Sequence, residues 1–201
     1  MSQQPPSFPT DQNLVNRVLA GNAVAFGEIV KRTEGLVTQL VFKMIRHPAD
    51  RPDLVQDVYL KAFSHLASFQ FQAKLSTWIG QIAYNTCLHY LEKKRLVLID
   101  YTDPSPPEGS HTRDPTTWPA DTPAVETLLA SQDRADVLAA AIDQLSPLYR
   151  TLIGLYHQQE LSYAEIAQIT SLPDGTVKNY LFRARKQLKD IILRTYQRDE
   201  L

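Results

Sequence analysis

Between Asp100 and Pro123 the chain reads DYTDPSPPEGSHTRDPTTWPADTP, six prolines in one stretch with almost no periodic apolar residue. Proline lacks a backbone donor and clashes with the preceding helical turn, so neither a helix nor a central strand runs through such a segment. On both sides of it apolar residues recur at three- and four-residue steps, and nowhere do β-branched residues alternate as they would in a half-buried strand. The pattern predicts an all-α chain: two small helical domains joined by a linker with partial polyproline character. That linker is acidic, with Asp100, Asp103, Glu108, Asp114 and Asp121 against Arg113. At 201 residues and 43% apolar composition, two small cores are affordable.

Residues 1–10 carry three prolines and too little apolar surface to repay ordering, so they read as a disordered lead-in. The first domain then occupies 11–97, the linker 98–123 and the second domain 124–201. Leu14, Val15, Val18 and Leu19, then Phe26, Ile29 and Val30, then Leu36 through Ile45 suggest three helices, with a turn at Gly21-Asn22 and a stop at His47-Pro48. Asp53 is placed to cap a helix bearing Leu54, Val55, Val58, Tyr59, Ala62, Phe63 and Leu66. An irregular stretch, Ser68 to Lys74, precedes another helix from about Ser76 to Arg95. One face of that helix holds Ile79, Ile82, Ala83, Cys87 and Tyr90, and the other a polar-aromatic stripe of Trp78, Gln81, Asn85, His89 and Glu92.

In the second domain, Thr122-Pro123 marks a helix start and Ser146-Pro147 another. Ser162-Tyr163-Ala164-Glu165 has capping-box spacing and opens a short helix. A turn over Thr170–Asp174 follows, with Pro173 suited to the first turn of a last helix whose inner stripe is Val177, Leu181, Ala184 and Leu188. This is helix-turn-helix geometry. Thr176, Asn179, Tyr180, Arg183 and Lys186 fall together on the outward face, where a recognition helix meets base edges, and Lys178, Arg185 and Lys189 flank them within reach of phosphates. A solvated basic face closing a helical bundle is the competing reading.

Charge sets the strength of any such contact. The chain carries a net −1, but Thr176 to Arg198 holds seven bases against Asp190, and Lys93-Lys94-Arg95 forms a second basic knot. Local patches on a near-neutral chain give weak, salt-dependent DNA affinity, so tight binding calls for a partner. The five histidines are scattered, no glycine-rich loop cradles phosphates and no nucleophile motif stands out, so no enzyme activity, cofactor or metal is expected. The lone Cys87 makes no internal disulfide. The opening MSQQPPSFPT lacks a signal peptide's basic and apolar segments, and no apolar run would span a bilayer, so a cytoplasmic location without membrane insertion is expected.

LSYAEIAQITSLPDGTVKNYLFRARKQL resembles region 4 of bacterial sigma factors of the extracytoplasmic-function group, and DLVQDVYLKAF followed by STWIGQIAYNTCLHYLEKKR resembles their region 2. The resemblance spans residues 13–95 and 126–190. It implies a protein that binds the RNA polymerase core at its clamp coiled coil and flap, recognises the minus-ten and minus-thirty-five promoter elements, and opens DNA. By that resemblance Asp53, Leu54, Gln56, Asp57, Leu60 and Lys61 form the clamp-binding helix, although charged residues on a helix are more often simply solvated. The family's minus-ten loop corresponds to residues 68–75. Phe69, Gln70, Phe71, Gln72 and Lys74 are then candidates to capture an extruded base, with Ser76, Thr77, Trp78, Tyr84, Asn85, His89 and Lys93 around them. Aromatics are commonly core, so at least one of Phe69 and Phe71 is expected to pack with Ile79, Ile82 and Ala83.

The family commonly has aspartate where His89 stands, arginine where Glu92 stands and glycine where Ser171 stands. Glu92 would repel phosphate and is left out of the site. Only about a dozen residues follow Leu188, so control in trans, by an anti-sigma factor, is the expectation. A two-domain regulator binding an operator is the alternative, but it has no need of an aromatic loop or of the DLVQD helix.

Overall fold

A computed structural model describes residues 11–99 and 131–199 of the chain. Their regular structure is helical throughout: α1 (Asp11–Leu19), α2 (Ala23–Met44), α3 (Arg51–His65), α4 (Leu75–Ile99), α5 (Ser131–Asp143), α6 (Pro147–His157), α7 (Tyr163–Thr170) and α8 (Asp174–Asp199), with 3-10 turns at Pro48–Asp50 and Leu66–Ser68. The lead-in 1–10, most of the linker and the Thr122-Pro123 cap lie outside the described residues.

Where three helices were expected before His47 there are two. Gly21, at φ 90°, turns the chain after α1, and the Asn22 side chain caps α2 by accepting from the Ala25 N–H. From there α2 runs unbroken through Arg32–Gly35. Thr33 is buried in the apolar stripe between Ile29 and Leu36, and its hydroxyl donates to the Ile29 carbonyl at 2.9 Å. A threonine that satisfies its hydroxyl one turn back can occupy a core position without breaking the helix.

The start of α3 also differs from expectation. The helix begins at Arg51 with Pro52 in its first turn, so Asp53 sits inside that turn rather than at the cap. Asp50, at the cap position, is engaged elsewhere: it accepts hydrogen bonds from the Tyr90 hydroxyl and from Lys94, at 2.9 Å, and faces His47. Those partners, Tyr90 foremost, hold its carboxyl below the ordinary range. The cluster ties the start of α3 to the far end of α4. The near end of α4 is capped from a distance, because the Leu75 N–H donates to the Asp11 carboxylate at 3.0 Å.

In the second domain the local signals fare well. Ser146 caps α6 by accepting from the Tyr149 N–H, and Ser162 and Glu165 form a complete capping box on α7. Pro173 stands just ahead of α8, its carbonyl accepting from the N–H groups of Thr176 and Val177. The two cores are continuous, since α2 packs on α6 and α4 packs on α7. Ile169 of α7 marks the junction: it is fully buried, and its side chain lies against the backbone of Gly80 in α4.

Candidate nucleic-acid interface

In the second domain α7, the turn and α8 form the helix-turn-helix. Ser171 ends α7 in the left-handed region, φ 56° and ψ 30°, a conformation that glycine adopts without steric cost and serine does not. Val177, Leu181 and Ala184 are buried beneath α8. Lys178, Asn179, Arg183 and Lys186 are exposed along its outer side, as the spacing predicts.

Three other predicted members lie off that face. Thr176 is half-buried at the helix start, and Tyr180 is half-buried with its ring 6.0 Å from that of Tyr149. Arg185 turns inward, its guanidinium 4.9 Å from the centre of the Tyr156 ring and its Nε donating to His157 Nε2 at 3.4 Å. The Tyr156 and Tyr163 rings stack at 5.2 Å, and Lys178 Nζ sits 5.6 Å from the Tyr163 ring centre. Together these contacts clamp α8 to α6 and α7 through cation–π and stacking interactions. Burial, followed by the Arg185 charge, lowers the His157 pKa, in keeping with the neutral ring that accepts from Arg185. Phe182 was missed. It is 39% exposed and lies one turn from both Lys178 and Asn179, and the available signal was an aromatic standing outside the Val177–Leu188 stripe.

In the first domain the loop between α3 and α4 presents an aromatic cluster. Phe69 is buried, its ring 4.7 Å from that of Phe71 and 5.1 Å from that of Trp78, so one of the two loop phenylalanines is core, as expected. Phe71 is 41% exposed and held at φ 57°, a strained conformation for a bulky residue. Gln70 and Gln72 are exposed and paired, the Gln72 amide donating to Gln70 at 3.1 Å. Asn85, His89 and Lys93 are exposed at four-residue steps along α4, with His89 Nδ1 3.4 Å from Glu92.

Thr77 and Tyr84 were misplaced by the sequence reading. Both are buried, and burial raises the Tyr84 hydroxyl's pKa, so neither is presented to a ligand. The second domain covers part of the α4 face that the sequence suggested was open, with α7 beside Thr77, and Tyr180 of α8 near Tyr84. Ile82, expected in the core, is only half-buried, as are Ser76 and Trp78. Between the loop and α7 lies a cleft of about 500 Å³, with Gln70, Gln72, Trp78 and Gln81 on one wall and Gln168 and Ser171 on the other. Lys74 crosses to α7 and pairs with Glu165 at 2.7 Å.

On α3, Asp53, Gln56, Asp57 and Leu60 are exposed. Lys61 is half-buried, pairing with Asp57 at 3.2 Å and donating to Thr86 at 3.3 Å. Leu54 is buried and supports this face from beneath rather than belonging to it. Phe63, 55% exposed, extends the face beside Leu60 and makes an edge contact with Phe26 at 5.0 Å. Sequence reading had placed Phe63 on the inner stripe.

Among the described residues no group of three or more His, Cys, Asp or Glu is arranged to hold a metal ion, and no helix is long and apolar enough to cross a membrane. Cys87 is buried, which pushes its thiol up to about 12.

Residues 29–97 match the sigma-70 region 2 family and residues 135–188 match sigma-70 region 4. The chain is 34% identical over 189 residues to the ECF RNA polymerase sigma-E factor of Haemophilus influenzae, covering 91% of this chain and 95% of that one. It is 32% identical over 183 residues to the sigma-E factor of Escherichia coli, covering 89% and 92%. Among solved structures, CnrH in complex with the cytosolic domain of CnrY shares the fold at a TM-score of 0.61 and 20% identity, covering 90% of this chain and 96% of that one. The sigma factor RpoE in complex with the anti-sigma factor NepR from Bartonella quintana does so at a TM-score of 0.59 and 24% identity, covering 83% and 96%.

Proposed function

The chain belongs to the extracytoplasmic-function family of RNA polymerase sigma factors, alternative sigma factors for transcription initiation, and on that premise we propose how its surfaces divide the work. The outer face of α8 reads the minus-thirty-five element. Lys178, Asn179, Arg183 and Lys186 stand together and exposed there, with donors suited to base edges and phosphates. Thr176, Tyr180 and Arg185 set the helix in place instead.

The loop after α3 captures an unstacked base of the minus-ten element. Phe71 and Trp78 offer aromatic surface, Gln70 and Gln72 offer amides that can read a base edge, and Asn85, His89 and Lys93 track the strand along α4. The α3 face of Asp53, Gln56, Asp57, Leu60, Lys61 and Phe63 binds the polymerase clamp. These roles fit domain limits of 11–97 and 124–201. The chain acts by binding and performs no reaction of its own, working in the cytoplasm, where the polymerase and the chromosome are. The RpoE structure contains the anti-sigma factor NepR, and an anti-sigma factor is proposed for this chain too.

The observation that carries the reading is the pairing, in one chain, of an exposed basic recognition helix with an aromatic, amide-bearing loop on a second domain. An operator-binding protein needs only the first. Transcription by purified core polymerase on genomic fragments, with and without this chain, tests it: discrete chain-dependent start sites are expected. Tight sequence-specific binding of duplex DNA by the chain alone, with no effect on polymerase, would indicate an operator-binding regulator.

A further inference from the structure

The loop proposed to capture a base, residues 66–75, is anchored at both ends on α1. At its start the Leu66–Ser68 turn packs against α1, and Leu66 is fully buried. At its end Leu75 opens α4 with its side chain buried and its N–H donating to Oδ2 of the half-buried Asp11 at 3.0 Å, from 64 residues earlier in the chain.

The local sequence explains why so distant an acceptor is needed. The first N–H groups of a helix have no carbonyl one turn back to bond, and a side-chain acceptor at the cap position ordinarily meets one of them. Lys74 holds the cap position of α4, since its carbonyl accepts the first helical bond, from the Trp78 N–H at 3.1 Å. A lysine ammonium has no acceptor, and this one pairs with Glu165. Ala73 has no acceptor on its side chain either, and the Gln72 amide is bonded to Gln70. Asp11 supplies what the loop lacks, and its negative charge suits the positive end of the helix.

Between its two anchors the loop keeps a conformation that a loose segment would abandon. Phe71 sits at φ 57°, in the left-handed region that a bulky side chain disfavours, and such a residue persists only where its surroundings fix it. Its neighbours Gln70 and Gln72 are exposed and bonded to each other at 3.1 Å. An exposed aromatic held between two exposed amides is a surface set before any ligand arrives, and a preset surface loses less freedom on binding.

We propose that Asp11 is a positioning residue for promoter opening: by capping α4 across the fold it fixes the C-terminal end of the 66–75 loop and so aligns Gln70, Phe71 and Gln72 for the extruded minus-ten base. The proposal rests on the reading of that loop as the base-capture site. Asp11 acts through Leu75 and not by touching DNA, since a carboxylate beside phosphates repels them.

Two substitutions separate alignment from charge. Asp11→Asn keeps an oxygen that accepts from Leu75 but carries no charge, whereas Asp11→Ala keeps neither. With core polymerase, at a promoter identified by the transcription assay, permanganate reactivity of unpaired thymines reports opening. Asp11→Ala should open DNA about fivefold less than the unaltered chain, the equivalent of about 1 kcal/mol, and Asp11→Asn should stay within about twofold of it. Discrimination against a minus-ten element substituted at the captured base should also fall in Asp11→Ala. Its affinity for core polymerase and its discrimination among minus-thirty-five variants should be unchanged. Hydrogen exchange of the Leu75 amide in the free chain reads the bond itself: slow in the unaltered chain and in Asp11→Asn, fast in Asp11→Ala.

Fast exchange at Leu75 in the unaltered chain would show that the cap is not formed in solution. Equal changes in Asp11→Asn and Asp11→Ala would assign the effect to charge, and loss of core binding along with opening would make Asp11 a residue of general folding; either overturns the positioning role. The reading beneath it is tested apart, by Gln70→Ala with Gln72→Ala. Opening by that pair at the unaltered rate would remove the loop from base capture, whereas a defect there with none in Asp11→Ala would keep the loop's role and remove Asp11 from it.

Discussion

The two proposed DNA-reading surfaces differ in what stands in front of them. The outer face of α8 is exposed at Lys178, Asn179, Arg183 and Lys186, and these groups project from a helix braced by Tyr156, Tyr163 and Arg185. The 66–75 loop is walled by α7 and tied to it through Lys74. Duplex is read by a convex, charged helix that water solvates well, so leaving it exposed carries little penalty. Melted DNA is held by aromatic surface, which in the free protein is an apolar patch that favours being covered.

The largest expected shift comes from Arg150→Met. It removes a buried guanidinium whose Nε and one terminal nitrogen lack hydrogen-bond partners and whose ion pair with Asp143 is long, at 3.8 Å, while keeping an unbranched side chain. The fold should gain up to about 4 kcal/mol, by analogy with replacing other buried charges by apolar groups. A rise in melting temperature would be the signature. Unchanged or lower stability would mean that Arg150 is satisfied by the fold.

Substitutions on α8 should spare the loop entirely. Arg183→Ala or Asn179→Ala should each weaken recognition of the minus-thirty-five element by about 1–3 kcal/mol if the side chain contacts a base. Competition between promoter variants measures the loss, and pre-melted DNA should not fully rescue it. Arg185→Ala should behave differently, destabilising the second domain and lowering affinity evenly across sequences, because its partners are Tyr156 and His157.

Substitutions in the loop give the converse pattern. Gln70→Ala with Gln72→Ala should leave folding intact, since both side chains are exposed, and should leave binding to core polymerase intact, since the proposed clamp face is on α3. Promoter opening should fall roughly tenfold, about 1.4 kcal/mol, as reported by permanganate reactivity. Lys74 was best treated with these glutamines on sequence alone, but its ion pair with Glu165 requires that it be varied separately.

What was legible in the chain follows the range of the interaction that fixes each feature. Caps and stripes are local, so the Ser162–Glu165 box, the Ser146 cap and the buried face of Val177, Leu181 and Ala184 could be read directly. The helix break expected between Val30 and Leu36 does not occur, because whether a threonine such as Thr33 ends a helix or joins its core depends on a carbonyl one turn back and on apolar neighbours from other helices. Thr77 and Tyr84 were misassigned because the second domain, some ninety residues away, covers a helix face that looked free; no periodicity within α4 encodes that. The packing of Arg185 against rings on α6 and α7 is equally invisible to spacing within α8. Spacing placed the open surface well and the covered one poorly.

A smaller effect separates the brace of α8 from its reading face. His157 has a lowered pKa, so the stability it contributes is present in full above its ordinary value near 6.5 and is lost as pH falls through the lower folded-state value. Protonation places a second positive charge beside Arg185. Thermal unfolding between pH 7 and pH 5 should show a decline that His157→Asn, uncharged across that range, reduces. An equal decline in both proteins would assign the pH dependence to other groups.

The smallest effect concerns the tie between the two surfaces. Glu165 has two duties, capping α7 through Ser162 and pairing with Lys74, and together they hold its carboxyl down to about 2, with Lys74 the largest cause. A lowered carboxylate pKa means that the contribution is complete above its ordinary value near 4.5 and disappears as pH falls through about 2, so near neutrality the tie is at full strength. Lys74 is largely exposed, so water and salt screen the pair, and exposed pairs contribute about 0.2–1 kcal/mol. Glu165→Gln keeps a residue able to complete the capping box but removes the charge. It should lower the free energy of unfolding by no more than about 1 kcal/mol at low salt. The difference should shrink as salt is raised. Lys74→Met should act alike, and the two changes together should do no more than either alone, because both remove the same bond. If instead the two effects added, Glu165 would be acting through its cap and Lys74 through something else, and the loop and α7 would be neighbours that the ion pair does not join.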